Sequence, residues 1–162
     1  MIICESSEII LRAFCAKDFN FCYQLLSNPK IMKNTGFRLP QSEEETRKYL
    51  NEWIDFSDKE FGKWLIEDKL SGESIGWIML KELPDNFCEL GYMISESFWG
   101  MGYATKACNL IFKKFNLEQP NRILTARVDE NNKASINVLH KMGMVVSKID
   151  EENKMKFYEL KK

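Results

Sequence analysis

Two glycines in alternate positions, Gly100 and Gly102, lie between an apolar run and a helical pattern. The run 87–94 is typical of a buried strand, and the helical pattern begins at Tyr103. A strand, a short loop and a helix start aim unpaired backbone N–H groups at one point, where the helix dipole adds about half a positive charge. Glycines let a ligand approach that backbone closely. The pattern favours a phosphate or diphosphate site, but a Gly-x-Gly is also compatible with a simple turn.

A carboxylate lies within the same apolar run. On a strand of period two, Glu89 shares a face with Phe87, Gly91 and Met93. If Glu89 were buried among apolar residues its pKa would be raised, which suits a general base that takes a proton through water. The structural alternative is a paired or solvated glutamate at the margin of a sheet.

The size and charge of the chain exclude several classes of protein. Its 162 residues are enough for a single domain over residues 1–162 with a real core. The net charge of -1 and the pI near 6.0 leave no basic field, so we expect no nucleic-acid partner. No apolar run approaches the roughly 20 residues that cross a membrane. The first residues do not resemble a signal peptide, so we expect a cytoplasmic protein without a membrane partner.

Metal chemistry has few ligands available in this sequence. The five cysteines are odd in number, no two of them are two residues apart, and there is a single histidine, His140. This composition argues against a disulfide framework and against zinc, and we predict no metal site. Reduced thiols are the expectation for a cytoplasmic protein.

Periodicity predicts an α/β (α+β) fold, a mixed sheet of about seven strands with helices on both faces. The pair Asn28-Pro29 is read as the end of the first helix, and residues 30–40 as irregular. The unit 87–128 is predicted to be a right-handed parallel crossover. The predicted strands are 8–12, 61–67, 74–83, 87–94, 123–128, 144–149 and 155–160, and the predicted helices are 16–27, 42–58, 103–115 and 132–142.

Two stretches together resemble a known family. Residues 98–105, Phe-Trp-Gly-Met-Gly-Tyr-Ala-Thr, resemble the acetyl-CoA loop of the GNAT superfamily of N-acetyltransferases. Residues 132–144, in which an Asn-x-x-Ser opens a helix that ends at a glycine, are similar to the second signature of that family. The pattern upstream is similar to the branch of the ribosomal-protein alanine and serine acetyltransferases. The resemblance covers essentially the whole chain.

The resemblance implies acetyl-CoA as cosubstrate and assigns residues to it. Backbone N–H groups of the loop would hold the diphosphate, the end of the preceding strand would pair with the pantetheine arm, and Trp99 would shield the cofactor. Asn132 is offered as a second contact, while its alternative role is the N-cap of a helix. The implied cofactor-binding residues are Met93, Ile94, Trp99, Gly100, Met101, Gly102, Tyr103, Ala104 and Asn132.

Two residues are candidates for catalysis. Ser135 is implied as a proton donor to the CoA sulfur, with a small packed residue in a helical turn as the alternative. Glu89 is the candidate base. The sequence departs from the family at Ser97, where glutamine or arginine is usual, and at Lys106, where glutamate is frequent. Leu139 stands where many members carry a tyrosine acid, which excludes that acid here.

The predicted function is an acetyl-CoA-dependent N-acetyltransferase that acts by direct attack in a ternary complex. The acceptor would be a protein N-terminus, a polyamine or another small amine, and the protein a monomer or a homodimer. The sequence Glu43-Glu44-Glu45 reads as the favourable first turn of a helix or as an acidic rim that attracts a cationic amine. Two alternatives stay open: a non-catalytic acetyl-CoA-binding module, and another phosphate-binding enzyme, which would lack the Lys-Ser/Thr ending of a P-loop.

Overall fold

An eight-stranded mixed sheet forms the framework of the protein. The computed structural model describes residues 1–33, 35–56 and 60–160. The strands are β1 (Ile2–Glu5), β2 (Ile9–Ala13), β3 (Gly62–Asp68), β4 (Ser74–Glu82), β5 (Phe87–Ile94), β6 (Ile123–Asp129), β7 (Val145–Asp150) and β8 (Met155–Glu159). The α-helices are α1 (Phe19–Leu26), α2 (Pro29–Met32), α3 (Glu43–Phe56), α4 (Tyr103–Glu118) and α5 (Lys133–Lys141).

The sheet order is β1-β2-β3-β4-β5-β6-β8-β7, and β5 and β6 form its parallel pair. The α4 helix connects these two strands, as expected for the crossover 87–128. One core lies between the sheet and α4 and α5. The other lies between the sheet and α1, α2 and α3. The predicted fold class, a mixed sheet with helices on both faces, is therefore confirmed.

Two predicted details are wrong. The sheet has eight strands and not about seven, because β1 pairs antiparallel with β2. Four residues carry too little periodicity to show this pairing in advance. Residues 30–40 are not wholly irregular, since Asn28 caps α2 by accepting from the Lys30 N–H at 2.9 Å, with Pro29 in the first helical position. The same dipeptide that ends one helix is suited to begin another.

The bounds of two helices differ from the predicted ones. Residues 16–18 form a 3-10 turn, and α1 starts only at Phe19 because the Asp18 carboxylate accepts from the Cys15 N–H at 2.8 Å. The predicted end of α3 at about residue 58 lies outside the described residues. Within those residues, no helix is both long and apolar enough to cross a membrane.

A lysine is buried in the core beneath α3. The Nζ atom of Lys63 lies 4.1 Å from the ring centroid of Trp53 and 3.8 Å from that of Trp77, and the residue is 8% exposed. Burial lowers the pKa of Lys63 to about 7. Electrostatic attraction to Cys22 and Glu52 acts in the opposite direction and raises this pKa. The contacts with the indole faces also favour the charged amine and offset part of the effect of burial.

The buried lysine predicts a pH-dependent stability. Between pH 7 and pH 9 the unfolded lysine, with a pKa near 10.5, binds a proton that the folded one has released, so stability should rise by about 1–2 kcal/mol. Above pH 9 the trend should reverse, because burial raises the pKa of Cys4 to about 11 and that of Cys22 to about 12, while the unfolded thiols ionise near 9.0. The two thiols together outweigh the single lysine. Denaturant unfolding from pH 6 to 10 measures both slopes.

The matched variants for this measurement are Lys63→Met and Lys81→Met. Lys63→Met should flatten the rise between pH 7 and pH 9, because it removes the titrating group and keeps the stem that packs on the indoles. Lys81 is exposed on β4, so Lys81→Met should keep the wild-type slope. Equal slopes in all three proteins would contradict the assignment.

Candidate active site

The site begins where two neighbouring strands part. The strands β5 and β6 pair only from Phe87 opposite Ile123 to Glu89 opposite Thr125, and β6 then continues against β8. The β6-facing edge of residues 90–94 therefore borders a gap in the sheet. A cleft of about 910 Å³ occupies this gap and extends to the loop before α4, to α5 and to residues 35–38.

The glycine loop places free donors at one end of the cleft. Gly100 and Gly102 have φ angles of +77° and +80°, which side chains other than glycine rarely adopt, and Gly102 is the N-cap of α4. Within the described part of the chain, no group accepts a hydrogen bond from the backbone N–H groups of residues 100–105. These donors lie at the positive end of a helix of 16 residues, an arrangement that suits an anion.

The cleft is lined by most of the loop residues that the sequence predicts. Gly100, Gly102, Tyr103 and Ala104 lie along it. Met101 does not line the cleft, and its side chain is 58% exposed, so only its backbone N–H is available to a ligand.

The start of α4 is fixed by two contacts, one to the last residue of β3 and one to the residue before β2. The Tyr103 hydroxyl donates to Asp68 Oδ2 at 2.9 Å, and Lys106 Nζ donates to Glu8 Oε1 at 2.6 Å. The lysine that departs from the family pattern therefore ties α4 to the residue before β2. These contacts hold the row of free N–H groups in place.

Trp99 and Ile94 are joined by a hydrogen bond. The Trp99 indole N–H donates to the Ile94 carbonyl at 2.8 Å, while the ring stays 48% exposed. Trp99 thus closes the turn between β5 and the loop. The bond occupies the Ile94 carbonyl, so a pantetheine arm would pair here with other backbone groups of the 90–94 edge. Met93 lines the cleft and is 5% exposed.

Glu89 lies at the point where β5 and β6 separate. It is not in the apolar surroundings that the sequence suggested, since its Oε1 accepts from Arg127 Nε at 3.1 Å. The Glu89 side chain is 15% exposed and lines the cleft. Glu89 is therefore a paired glutamate, as the structural alternative predicted, and it also lines the cleft.

Asn132 and Ser135 approach the cleft from the opposite side, on α5. The Asn132 Oδ1 accepts from the Ser135 N–H at 3.1 Å and so caps the helix, as its structural alternative predicted. Both residues line the cleft. The Ser135 hydroxyl and the Glu89 carboxylate thus lie on the two sides of the gap in the sheet.

The structure also reveals site residues that the sequence did not indicate. Arg127 is 38 residues from Glu89 in the chain and meets it only because β5 and β6 are neighbours. Tyr92 lines the cleft although period two groups it with the apolar side chains of Leu90 and Ile94. Only the register of the parallel pair could have indicated that Arg127 lies near Glu89. Glu89 pairs with Thr125, and Arg127 lies two residues beyond Thr125 on the same face of β6.

The charges around the cleft are uneven. Among the described residues, the four cations that line it are Lys30, Arg38, Arg127 and Lys141, and the two acids are Glu89 and Asp129. The run 43–45 does not line the cleft; Glu45 instead forms a capping box, its carboxylate accepting from the Ser42 N–H at 2.8 Å. Among the described residues, no group of three or more His, Cys, Asp or Glu side chains is placed to hold a metal ion.

The fold and the cleft define an α/β protein with free backbone N–H groups at a helix start, beside a gap in the sheet. The chain belongs to the GNAT acetyltransferase family, because the family model described as "Acetyltransferase (GNAT) domain" matches residues 8–145. The uncharacterized protein YkkB of Bacillus subtilis is 34% identical over 150 residues, which cover 88% of this chain and 85% of that protein. The predicted family and enzyme class are thus confirmed.

Solved structures agree in fold. A GNAT-family acetyltransferase from Bacillus anthracis has a TM-score of 0.84 at 20% identity, with 98% of this chain and 97% of that chain covered. RimL, the ribosomal L7/L12 α-N-protein acetyltransferase in complex with coenzyme A, has a TM-score of 0.82 at 19% identity, with 98% of this chain and 97% of that chain covered. Spermidine N-acetyltransferase from Vibrio cholerae, in complex with CoA and spermine, has a TM-score of 0.76 at 22% identity, with 95% of this chain and 94% of that chain covered. The family uses acetyl-CoA as its acetyl donor.

Proposed function

We propose that this protein transfers an acetyl group from acetyl-CoA to a primary amine by direct attack in a ternary complex. The observation that carries the proposal is the row of free backbone N–H groups at residues 100–105, beside the gap between β5 and β6. The row suits a diphosphate, and the gap suits an extended arm that leads from it toward Glu89 and Ser135.

The cofactor side of the cleft has three tasks. The loop donors hold the diphosphate, and the free edge of residues 90–94 pairs with the pantetheine arm as an added strand would. Asn132 keeps Ser135 in place through the cap of α5. The Ser135 hydroxyl then lies where it could give a proton to the departing sulfur of CoA.

The acceptor side needs a neutral amine and a base. Glu89 takes the proton that the amine loses, directly or through one water molecule, and Arg127 fixes the carboxylate at the edge of the gap. None of the five free cysteines is a lining residue of the cleft, so a covalent route through a cysteine thioester has no support in this part of the structure. Alignment of the two substrates can supply several kcal/mol of the barrier.

The charges of the cleft favour a peptide α-amine over a polyamine. A polyamine carries several positive charges, and the cleft offers two carboxylates against four cations, of which Lys30 is paired with Glu96 at 2.6 Å. Both carboxylates have partners, since Glu89 accepts from Arg127 and Asp129 Oδ1 accepts from the Asn131 N–H at 2.9 Å. A protein N-terminus presents a single amine and is the acceptor class we place first. We place the protein in the cytoplasm, in keeping with its five free thiols, as a monomer or a homodimer.

The function is tested by release of free CoA from acetyl-CoA in the presence of defined amines. The panel pairs unblocked peptides that begin with serine or alanine with the same peptides acetylated at the N-terminus, and includes spermidine. We expect turnover with the unblocked peptides only. Calorimetric binding of CoA without turnover on any amine would instead support the non-catalytic module, and absence of CoA binding would reject both proposals.

Replacing Glu89 by glutamine should lower kcat by about a hundredfold and leave the Kd of CoA unchanged. The substitution keeps the shape of the side chain and removes the base, while the diphosphate site is untouched. Glu82→Gln is the matched control, because Glu82 forms an exposed ion pair with Arg122 away from the cleft. A rate within twofold of wild type in Glu89→Gln would show that Glu89 is not the base.

A further inference from the structure

One hydroxyl in the wall of the cleft has no hydrogen-bond partner. The Tyr92 Oη atom is fully buried, and no group in the described residues donates to it or accepts from it. Buried polar side-chain atoms are nearly always paired, because an unpaired one has lost its water without compensation. The ring alone would pack in this core at lower cost, so the hydroxyl calls for a role that the resting protein does not display.

The surroundings of Tyr92 direct this hydroxyl toward α5. The alternation of β5 places Tyr92 on the face that packs against α4 and α5, with Leu90 and Ile94 on the same face. Its polar neighbours there are Ser135 on α5 and Cys108 on α4. Ser135 lies within the range at which a hydroxyl can act on the Tyr92 hydroxyl by hydrogen bonding, and it lowers the pKa of Tyr92. In the resting protein, no hydrogen bond of good geometry reaches the Tyr92 Oη atom from the described residues.

The protonation of Tyr92 limits what it can do. Burial raises the pKa of the Tyr92 hydroxyl far above its ordinary value, the Cys108 thiol adds to the rise, and Ser135 opposes it. The hydroxyl therefore keeps its proton at working pH. It can therefore donate a hydrogen bond to a neighbouring acceptor.

Ser135 is held by its backbone and not by its side chain. Its N–H donates to Asn132 Oδ1, while its Oγ atom makes no hydrogen bond to the described residues. A serine hydroxyl turns freely about its Cα–Cβ and Cβ–Oγ bonds unless a neighbour fixes it. As a proton donor, Ser135 thus needs a partner that occupies its lone pair and turns its O–H toward the cleft.

We propose that Tyr92 is a positioning residue for Ser135, donating a hydrogen bond to Ser135 Oγ once acetyl-CoA fills the cleft. This inference rests on the proposed function. As the amine nitrogen bonds to the carbonyl carbon and the C–S bond breaks, the sulfur takes the Ser135 proton and the amine proton goes to Glu89. Ser135 then regains a proton from solvent. Tyr92 keeps its own proton throughout.

The test uses Tyr92→Phe, Ser135→Ala and the double variant, with acetyl-CoA and an unblocked peptide that begins with serine as probes. Tyr92→Phe should lower kcat about tenfold, leave KM for the peptide and the Kd of CoA within twofold, and keep or raise Tm. Ser135→Ala should lower kcat at least as much. The double variant should be no slower than Ser135→Ala, because Tyr92 acts only through that hydroxyl.

Tyr158→Phe is the matched control, since Tyr158 is 1% exposed on β8 and does not line the cleft. Its kcat should equal that of wild type. An unchanged kcat in Tyr92→Phe would overturn the proposal, as would losses that multiply in the double variant or a fall in Tm together with weaker CoA binding. Failure of the proposed function differs from all of these, because wild type itself would then bind no CoA or turn over no amine.

Discussion

Replacing Gly76 by alanine is expected to cost at least about 3 kcal/mol of folding stability or to prevent folding. A Cβ atom at Gly76 would lie 2.1 Å from the Met93 carbonyl oxygen and 3.0 Å from the Ile94 Cα. Both of these atoms are backbone, so no side chain can move to make room. The strands β4 and β5 would have to separate at the end that borders the cleft.

This prediction is checked by denaturant unfolding of Gly76→Ala next to Gly36→Ala. Gly36 has open space where a Cβ would be built and does not have a left-handed φ, so its variant should stay within about 0.5 kcal/mol of wild type. Because Met93 and Ile94 form the wall of the cleft, any folded Gly76→Ala protein should also bind CoA more weakly. Wild-type stability in Gly76→Ala would mean that β4 and β5 are not in this register.

The second large effect concerns the helix start. Thr105 is half-buried, is the third residue of α4 and lines the cleft. Thr105→Glu should stabilise the fold by about 0.5 kcal/mol, because a negative charge near a helix N-terminus is favourable. The same charge should weaken CoA binding by about 2–3 kcal/mol, or roughly a hundredfold, by repelling the diphosphate.

Because Thr105→Glu should raise stability and lower CoA affinity, general damage to the fold cannot explain the expected result. Thr105→Gln has almost the same shape as Thr105→Glu without the charge, so it should change neither stability nor affinity by much. Calorimetric titration with CoA and thermal unfolding of the free protein give the two quantities. The loss of affinity in Thr105→Glu should also shrink as salt is added, since exposed charges are screened. Equal CoA affinity in the two variants would place the diphosphate elsewhere.

Much of the fold could be predicted from the chain because its signals are local. A capping box at Ser42 and Glu45 predicts the start of α3, and apolar periodicity predicts β5 and α4 without any knowledge of their neighbours. Where local chemistry admits two readings the prediction fails, as at Asn28-Pro29, which ends α1 and also begins α2. The short β1 exists only because β2 pairs with it.

In the candidate site, too, local features could be predicted from the sequence and contacts between distant residues could not. The sequence by itself determined the glycine loop with its free backbone donors, since Gly100, Gly102 and the first turn of α4 are contiguous and their backbone geometry follows from residue type. The tertiary structure alone decided the surroundings of the candidate catalytic groups. Arg127 meets Glu89, and Tyr92 comes to lie near Ser135, through strand pairing and helix packing that join distant parts of the chain. The charge and burial of such groups depend on neighbours that no local pattern specifies.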